Sequence, residues 1–314
     1  MSENAVVATQ ESPQEAGRRR PWVIWPLQIA AGALGMVQTG LYLAGSFATY
    51  KLNLERWYEP REDDVFIASY PKSGTTLLQM LLYQLTTDGE MSFSHIEDVS
   101  PWFEVQMVEG DPTILARRPS PRIFKSHYWY GLLPRNGRKI YIVRNLSDAA
   151  LSAYHQTRML GGVDEGLEAH FDRYIAGRVP YGSWYKHVKT WWPHREDPNV
   201  LFLRYDEVTR DLAGTARRIA AFLGLSLPED QIPRIVERCG IAFMKQHHEK
   251  FDPRYYQLSR GGEFIRQGKT GGAASQLTAA QRERLGQKLA ALSRAIDCPP
   301  DHPFADLFRA PEVG

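Results

Sequence analysis

Residues 64–85 read DVFIASYPKSGTTLLQMLLYQL. The first seven, Asp64 to Tyr70, have the apolar, β-rich look of a short buried strand. From Leu77 the apolar positions Leu77, Leu78, Leu81, Leu82 and Leu85 recur at helical spacing. A polar turn, Lys72, Ser73, Gly74, Thr75 and Thr76, joins the two. At such a junction the first helical N–H groups lack intrahelical partners, and the helix dipole adds partial positive charge. Gly74 lets the backbone approach an anion closely, the Ser and Thr hydroxyls are donors, and Lys72 adds a full charge. The stretch therefore predicts a phosphate cradle, in preference to an ordinary capped turn. It is not the G-x-x-x-x-G-K-[ST] loop of nucleotide hydrolases, because Lys72 precedes the glycine. A second candidate, GGEFIRQGKTGG at 261–272, ends in Gly268, Lys269 and Thr270, but the upstream glycine is misplaced and no apolar strand leads into it.

Working outward, short apolar runs at Asp64 to Tyr70, Arg122 to His127, Lys139 to Arg144 and Asn199 to Tyr205 predict four strands. Helices are expected over Thr75 to Thr87, Ser147 to Met159, Asp164 to Ala176, Tyr181 to Trp191, Leu212 to Leu223, Pro228 to Cys239 and Thr278 to Ile296. This alternation predicts an α/β fold with a mostly parallel central sheet flanked by helices on both faces. Ligands of such sheets bind beyond the carboxyl ends of the strands. Lys72, Lys125, His127, Arg144 and Tyr205 all fall at those ends.

With 314 residues, 43% of them hydrophobic, the chain can bury a large core. A net charge of +2 gives no global reason to expect nucleic acid, so any basic site must be local. The two cysteines, Cys239 and Cys298, form neither a metal spacing nor a disulfide framework, which predicts a reducing compartment. Residues 1–20 form a polar tail with little to pack and are expected to be disordered. Residues 21–50 follow Arg18 to Arg20 and carry no charge, so 21–56 is expected to be a helical segment. A single span starting from a cytoplasmic Arg cluster would put the rest of the chain outside, away from a phosphorylated nucleotide. Contact with the cytoplasmic membrane face is the expectation, packing on the core the alternative. Residues 57–314 are expected to form one domain in the cytoplasm.

Lys125 and His127 close the second strand two residues apart, on one face. A histidine beside a lysine resists protonation, which suits a general base acting on a hydroxyl. Arg144, at the next strand end, and Ser152, eight residues on, could hold a second anion. Asn145 opens an N-x-S match, but its place at a strand end argues against glycosylation.

Taken together and in order, YPKSGTT, FKSH, VRN with a serine eight residues after the arginine, LRYDEV and FIRQGKTGG resemble the cytosolic sulfotransferase family over roughly residues 60–285. The resemblance implies a P-loop-like three-layer fold and transfer of a sulfuryl group from 3′-phosphoadenosine 5′-phosphosulfate (PAPS) to a hydroxyl, leaving 3′,5′-adenosine bisphosphate (PAP), with no metal. It implies that Lys72, Ser73, Gly74, Thr75 and Thr76 bind the phosphosulfate end. Arg144, Ser152, Arg266, Gln267 and Gly268 match the 3′-phosphate site, and Tyr205 matches an adenine contact. His127 matches the catalytic base, and Lys72 and Lys125 match lysines that stabilise the transferred group, with Ser152 restraining Lys72. SPWFEV, through Val105, is similar to an acceptor-pocket segment. Trp102, Phe103, Trp129, Tyr130, Tyr154, Tyr181, Trp184 and Tyr255 are candidate pocket aromatics for a small apolar acceptor such as a phenol, sterol or lipid alcohol.

The chain departs from the family pattern at Leu77, an aromatic in many relatives, and at Cys239, Gly240 and Ile241, where a hydroxyl pair and Phe are usual. GGAA at 271–274 replaces Gly-Asp-Trp-Lys, and a relatives' dimer motif is only partly present, so that dimer is not expected. Two other functions stay open on the residues: a metal-dependent phosphoryl-transfer enzyme, and a non-catalytic nucleotide-binding module.

Overall fold

The computed structural model describes residues 33–87, 89–161, 165–253, 264–266, 268 and 270–311, with side chains from Gly45 onward. The expected tail 1–20, residues 21–32, Tyr255 and Gln267 lie outside the described residues. Four strands, β1 (Val65–Ser69), β2 (Ile123–Ser126), β3 (Arg138–Val143) and β4 (Val200–Arg204), form a parallel sheet in the order β2-β1-β3-β4. All four expected strands are present. Residue alternation splits their side chains between two cores. Val65, Ile67, Ile140, Ile142 and Leu203 face one side, whereas Phe66, Tyr141, Val143 and Phe202 face the other.

Helix α1 (Ala33–Arg56) precedes the sheet; α2 (Thr75–Thr86), α3 (Ile96–Val99), α4 (Phe103–Glu109) and α5 (Pro112–Ala116) lie between β1 and β2. Between β3 and β4 come α6 (Leu146–Met159), α7 (Leu167–Ala176) and α8 (Trp184–Trp191). Beyond β4 follow α9 (Tyr205–Arg210), α10 (Leu212–Leu223), α11 (Ile232–Cys239), α12 (Ile241–Gln246) and α13 (Ala279–Ala295). Helices α2, α10 and α11 cover the Ile67 face, and α6, α7, α8 and α13 the Phe66 face. The result is the expected helix–sheet–helix sandwich.

Local rules were overridden in three places. Tyr205 begins α9 instead of ending β4, with acidic Asp206 and Glu207 in the helix's first turn. Helix α8 starts at Trp184, not Tyr181, because Ser183 accepts the Lys186 N–H as its cap. A turn of 3₁₀ helix, Glu229–Gln231, precedes α11, which starts at Ile232.

The last turns of α1 pack on the domain. Tyr50 is fully buried and donates its hydroxyl to Leu132 O, while Asn53 Nδ2 donates to Met107 O at 2.7 Å. Phe47 and Leu52 on the same helix are exposed. Among the described residues, no helix is long and apolar enough to cross a membrane. Under the sheet, Asp64 is buried and takes two bonds from Arg122, both at 2.6 Å, and one from the Tyr58 hydroxyl. At the outer edge of β2, Trp102 pairs with Lys125 in an isolated parallel bridge.

Candidate active site

The connection after β1 enters α2 on one face of the sheet, and the connection after β3 enters α6 on the other. A crevice opens where adjacent strands diverge in this way, beyond their carboxyl ends. A cavity of about 760 Å³ occupies that place. Lys72, Gly74, Thr75 and Thr76 line it from the β1 turn, Lys125 and His127 from β2, Arg144 and Ser152 from β3 and α6, Tyr205 from α9. Arg266 and Gly268 line it from the late segment. Thus the structure brings together every described residue expected at the site except Ser73, whose side chain is fully buried and whose hydroxyl has no hydrogen-bond partner among the described residues.

The β1 turn is shaped by unusual backbone. Lys72 has φ 68° and Gly74 φ 108°, both left-handed. A Cβ at Gly74 would stand 2.6 Å from the Tyr205 ring, so only glycine allows the turn to lie on that tyrosine. Gly74 is the N-cap of α2 and no side chain caps the helix, which leaves its first N–H groups available to an anion. Arg144 ties the turn to β3: its Nη1 donates to Lys72 O at 3.2 Å, and its guanidinium lies 4.2 Å from the centre of the Tyr205 ring.

Cations outnumber acids here: Lys72, Lys125, Arg144 and Arg266 line the cavity against Glu97 and Asp148. Burial lowers Lys72 to about 7, with the cations Arg144, Lys125 and Arg266 adding to the effect. Burial also lowers Arg266, again helped by Arg144. Four cations crowded in a desolvated cavity are what a polyanionic ligand would relieve. In place of the expected bond to Ser152, the Lys72 ammonium lies 4.3 Å from the centre of the Phe264 ring.

His127 is fixed from three sides. Its Nδ1 is 2.9 Å from Ser69 O, its N–H donates to Glu104 Oε1 at 2.6 Å, and its C=O accepts from His187 Nε2 at 3.2 Å. A carbonyl can only accept, so Nδ1 carries the proton and Nε2 keeps its lone pair. Burial lowers His127 to about 3, and Lys125, His187 and Lys72 push the same way. The ring is therefore neutral. Its flanks are Trp102 and Tyr181, each edge-on with ring centres 5.4 and 5.6 Å away.

Of the candidate aromatics, Trp102 and Tyr181 line the cavity. Phe103 and Trp184 are fully buried in the core, Tyr154 is buried as well, Trp129 is exposed, and Tyr130 stacks on His194. Five residues that bear on the site were not anticipated. Glu97 is salt-bridged to Lys125, Glu104 and His187 hold His127, and Phe264 carries Lys72. Asp148, buried in α6, accepts the N–H groups of Gly271 and Ala273 at 2.7 and 3.2 Å and so pins the late segment. Asp148, Glu104 and Phe264 sit inside motifs that could have drawn attention to them.

Comparisons with known proteins identify the family. The family model described as the sulfotransferase domain matches residues 62–291. Sulfotransferase 1A1 of Bos taurus is 34% identical over 242 residues, covering 72% of this chain and 82% of that protein. Among solved structures, mouse sulfotransferase SULT7A1 complexed with PAP superposes with TM-score 0.64 at 27% identity, covering 79% of this chain and 90% of that one. Retinol dehydratase in a complex with retinol and PAP has the same TM-score at 26% identity, covering 83% and 86%.

Proposed function

The chain belongs to the sulfotransferase family and is a PAPS-dependent O-sulfotransferase; from that premise we propose that His127 is the general base and that the acceptor is a small apolar alcohol or phenol. The observation that carries the proposal is the His127 ring, neutral, held at Nδ1 by Ser69 O, and set among four cations. Nε2 takes the proton of the acceptor hydroxyl as its oxygen attacks. Lys72 and Lys125 stabilise the charge that grows on the sulfuryl group during transfer.

PAPS supplies the sulfuryl group and, in PAP, a leaving group that carries the negative charge away. The residues present fit it. Lys72, Thr75, Thr76 and the first N–H groups of α2 hold the phosphosulfate end, with Ser73 shaping the turn from beneath. Arg144, Ser152, Arg266 and Gly268, with Gln267 beside them in the chain, hold the 3′-phosphate, and Tyr205 borders the adenine. A bound polyanion would offset the cations that depress His127, making the ring more basic when donor is in place.

The cavity wall nearest His127 is apolar, formed by Trp102 and Tyr181, which supports an apolar acceptor. That retinol dehydratase binds retinol beside PAP supports the same size class. Residues 57–314 form the catalytic domain, acting in the cytoplasm. Exposed Phe47, near the end of the uncharged run 21–50, supports contact of that run with the membrane face. Co-sedimentation with vesicles should fall when residues 1–44 are removed.

The test is calorimetric titration with PAP and with 5′-AMP, without metal. PAP should bind far more tightly, and Arg144→Ala should erase the difference. His127→Ala should keep PAP affinity while turnover falls by roughly 10²–10⁴-fold. Equal binding of the two nucleotides, or a His127→Ala variant of undiminished turnover, would refute the assignment.

A further inference from the structure

Lys125 is already engaged. Its ammonium is salt-bridged to Glu97 and lies 4.7 Å from the centre of the Trp102 ring. The two charged side chains are largely enclosed, 15% exposed for Lys125 and 12% for Glu97. Glu97 sits on a rigid mount. Its N–H donates to His95 Nδ1 at 3.1 Å, the His95 N–H donates to Asp98 Oδ2 at 3.1 Å, and the other His95 nitrogen is 2.8 Å from Asp252 O. Trp102 is fixed as firmly, since Lys125 N donates to Pro101 O at 3.0 Å across the bridge. Between these two mounts the mobile part is the lysine's four-carbon stem.

A carboxylate here works against the site's own purpose. The cavity gathers Lys72, Lys125, Arg144 and Arg266 around an anion site, and Glu97 cancels one of them. We propose that Glu97 is a positioning residue that holds Lys125 aside in the donor-free protein and competes with the sulfuryl group for it. This rests on the sulfotransferase assignment above. Lys125 must leave Glu97 to reach the sulfuryl group, and a ligand that needs the released lysine binds more weakly by the fraction of time it is free. A lysine released one time in ten weakens apparent affinity about tenfold. PAP, which has no sulfuryl group, makes no such demand. The ratio of PAPS to PAP affinity therefore reports the hold.

The experiment titrates the full-length protein with PAPS and with PAP, without acceptor, in the wild type, Glu97→Gln, Glu97→Asp, Lys125→Met and Glu97→Gln/Lys125→Met. Glu97→Gln should tighten PAPS about tenfold and PAP less than about twofold. Glu97→Asp, which keeps the charge but shortens the reach, should also gain for PAPS. In the Lys125→Met background the gain should vanish. The proposal is overturned if Glu97→Gln leaves PAPS affinity unchanged or weaker, if PAP gains as much as PAPS, or if the gain survives without Lys125. Failure of the wild type to bind PAP at all would instead strike the sulfotransferase assignment. Matching melting temperatures identify the folded variants to be compared.

Discussion

Replacing Gly74 with alanine should damage stability and donor binding together, and the structure sets the size of both effects. The residue has φ 108°, and an L side chain in left-handed backbone costs roughly 1–2 kcal/mol. Its new methyl would lie 2.6 and 2.9 Å from two Tyr205 ring atoms and 3.2 Å from Ile142 Cδ1. Overpacking of this kind costs about 1–3 kcal/mol. The two together give roughly 2–5 kcal/mol, or about 3–8 °C of melting temperature for a chain of this length. Tyr205 has little room to retreat, being buried among the Ile142 and Leu203 side chains, and Arg144 is stacked on it. Relaxation therefore displaces the guanidinium that holds Lys72 O. PAP affinity should fall by at least about tenfold, equivalent to 1.4 kcal/mol. Thermal melting and calorimetry measure the two consequences. A Gly74→Ala variant melting within about 2 °C of wild type and binding PAP within about twofold would show that the turn does not depend on this contact.

His187 is fully buried and lowered to about 3 by desolvation. Its folded pKa lies below the unfolded value, so its contribution is complete above about pH 6.5 and is lost as pH falls toward 3, at about 1.4 kcal/mol per unit. His187→Gln should make denaturant stability shallower by that slope between pH 6 and 4; an unchanged slope would refute it. Glu104 runs the opposite way, raised to about 7 by burial, so it takes stability away as pH climbs from 4.5 to 7. Asp148→Ala leaves the Gly271 and Ala273 N–H groups without their acceptor, and affinity for PAP should drop more than affinity for 5′-AMP. Equal losses would mean that Asp148 does not act through the late segment. Arg122→Met strands Asp64 as a buried unpaired carboxylate and should cost about 3–5 kcal/mol in urea titration; a loss under about 1 kcal/mol would count against it.

The strands and most long helices were legible because each carries its own periodicity. Leu78, Leu81 and Leu82 declare one face of α2, and Ile140 and Ile142 alternate with Tyr141 and Val143 along β3. Site residues at strand ends were legible for a similar reason: a parallel sheet sends them to one edge whatever the loops do. Helices α3, α4 and α5 were not anticipated. They are only 4, 7 and 5 residues long, too short to show a period, and tertiary contacts and caps hold them. Glu97 lies on one of these, 28 positions before the lysine it pairs with, and no local pattern could announce that partner. The aromatics failed for a different reason. Trp102 and Phe103 are neighbours of the same class, yet one faces the cavity and the other is fully buried in the core, and that choice is made by α4 packing under β2.

The bridge between Trp102 and Lys125 has a bearing on association. Strand β2 is an end strand of the sheet and carries Lys125, with His127 just beyond it. End strands offer unpaired backbone groups to any extended segment that comes near, and proteins blunt them. Here Lys125 N is already bonded to Pro101 O, so the chain's own backbone covers the strand where it meets the cavity. Strand addition from a second molecule would have to strip that segment away, and with it Trp102. The same few residues thus guard the sheet's end and wall the cavity beside His127, so a variant that loosens them risks self-association along with a reshaped cavity.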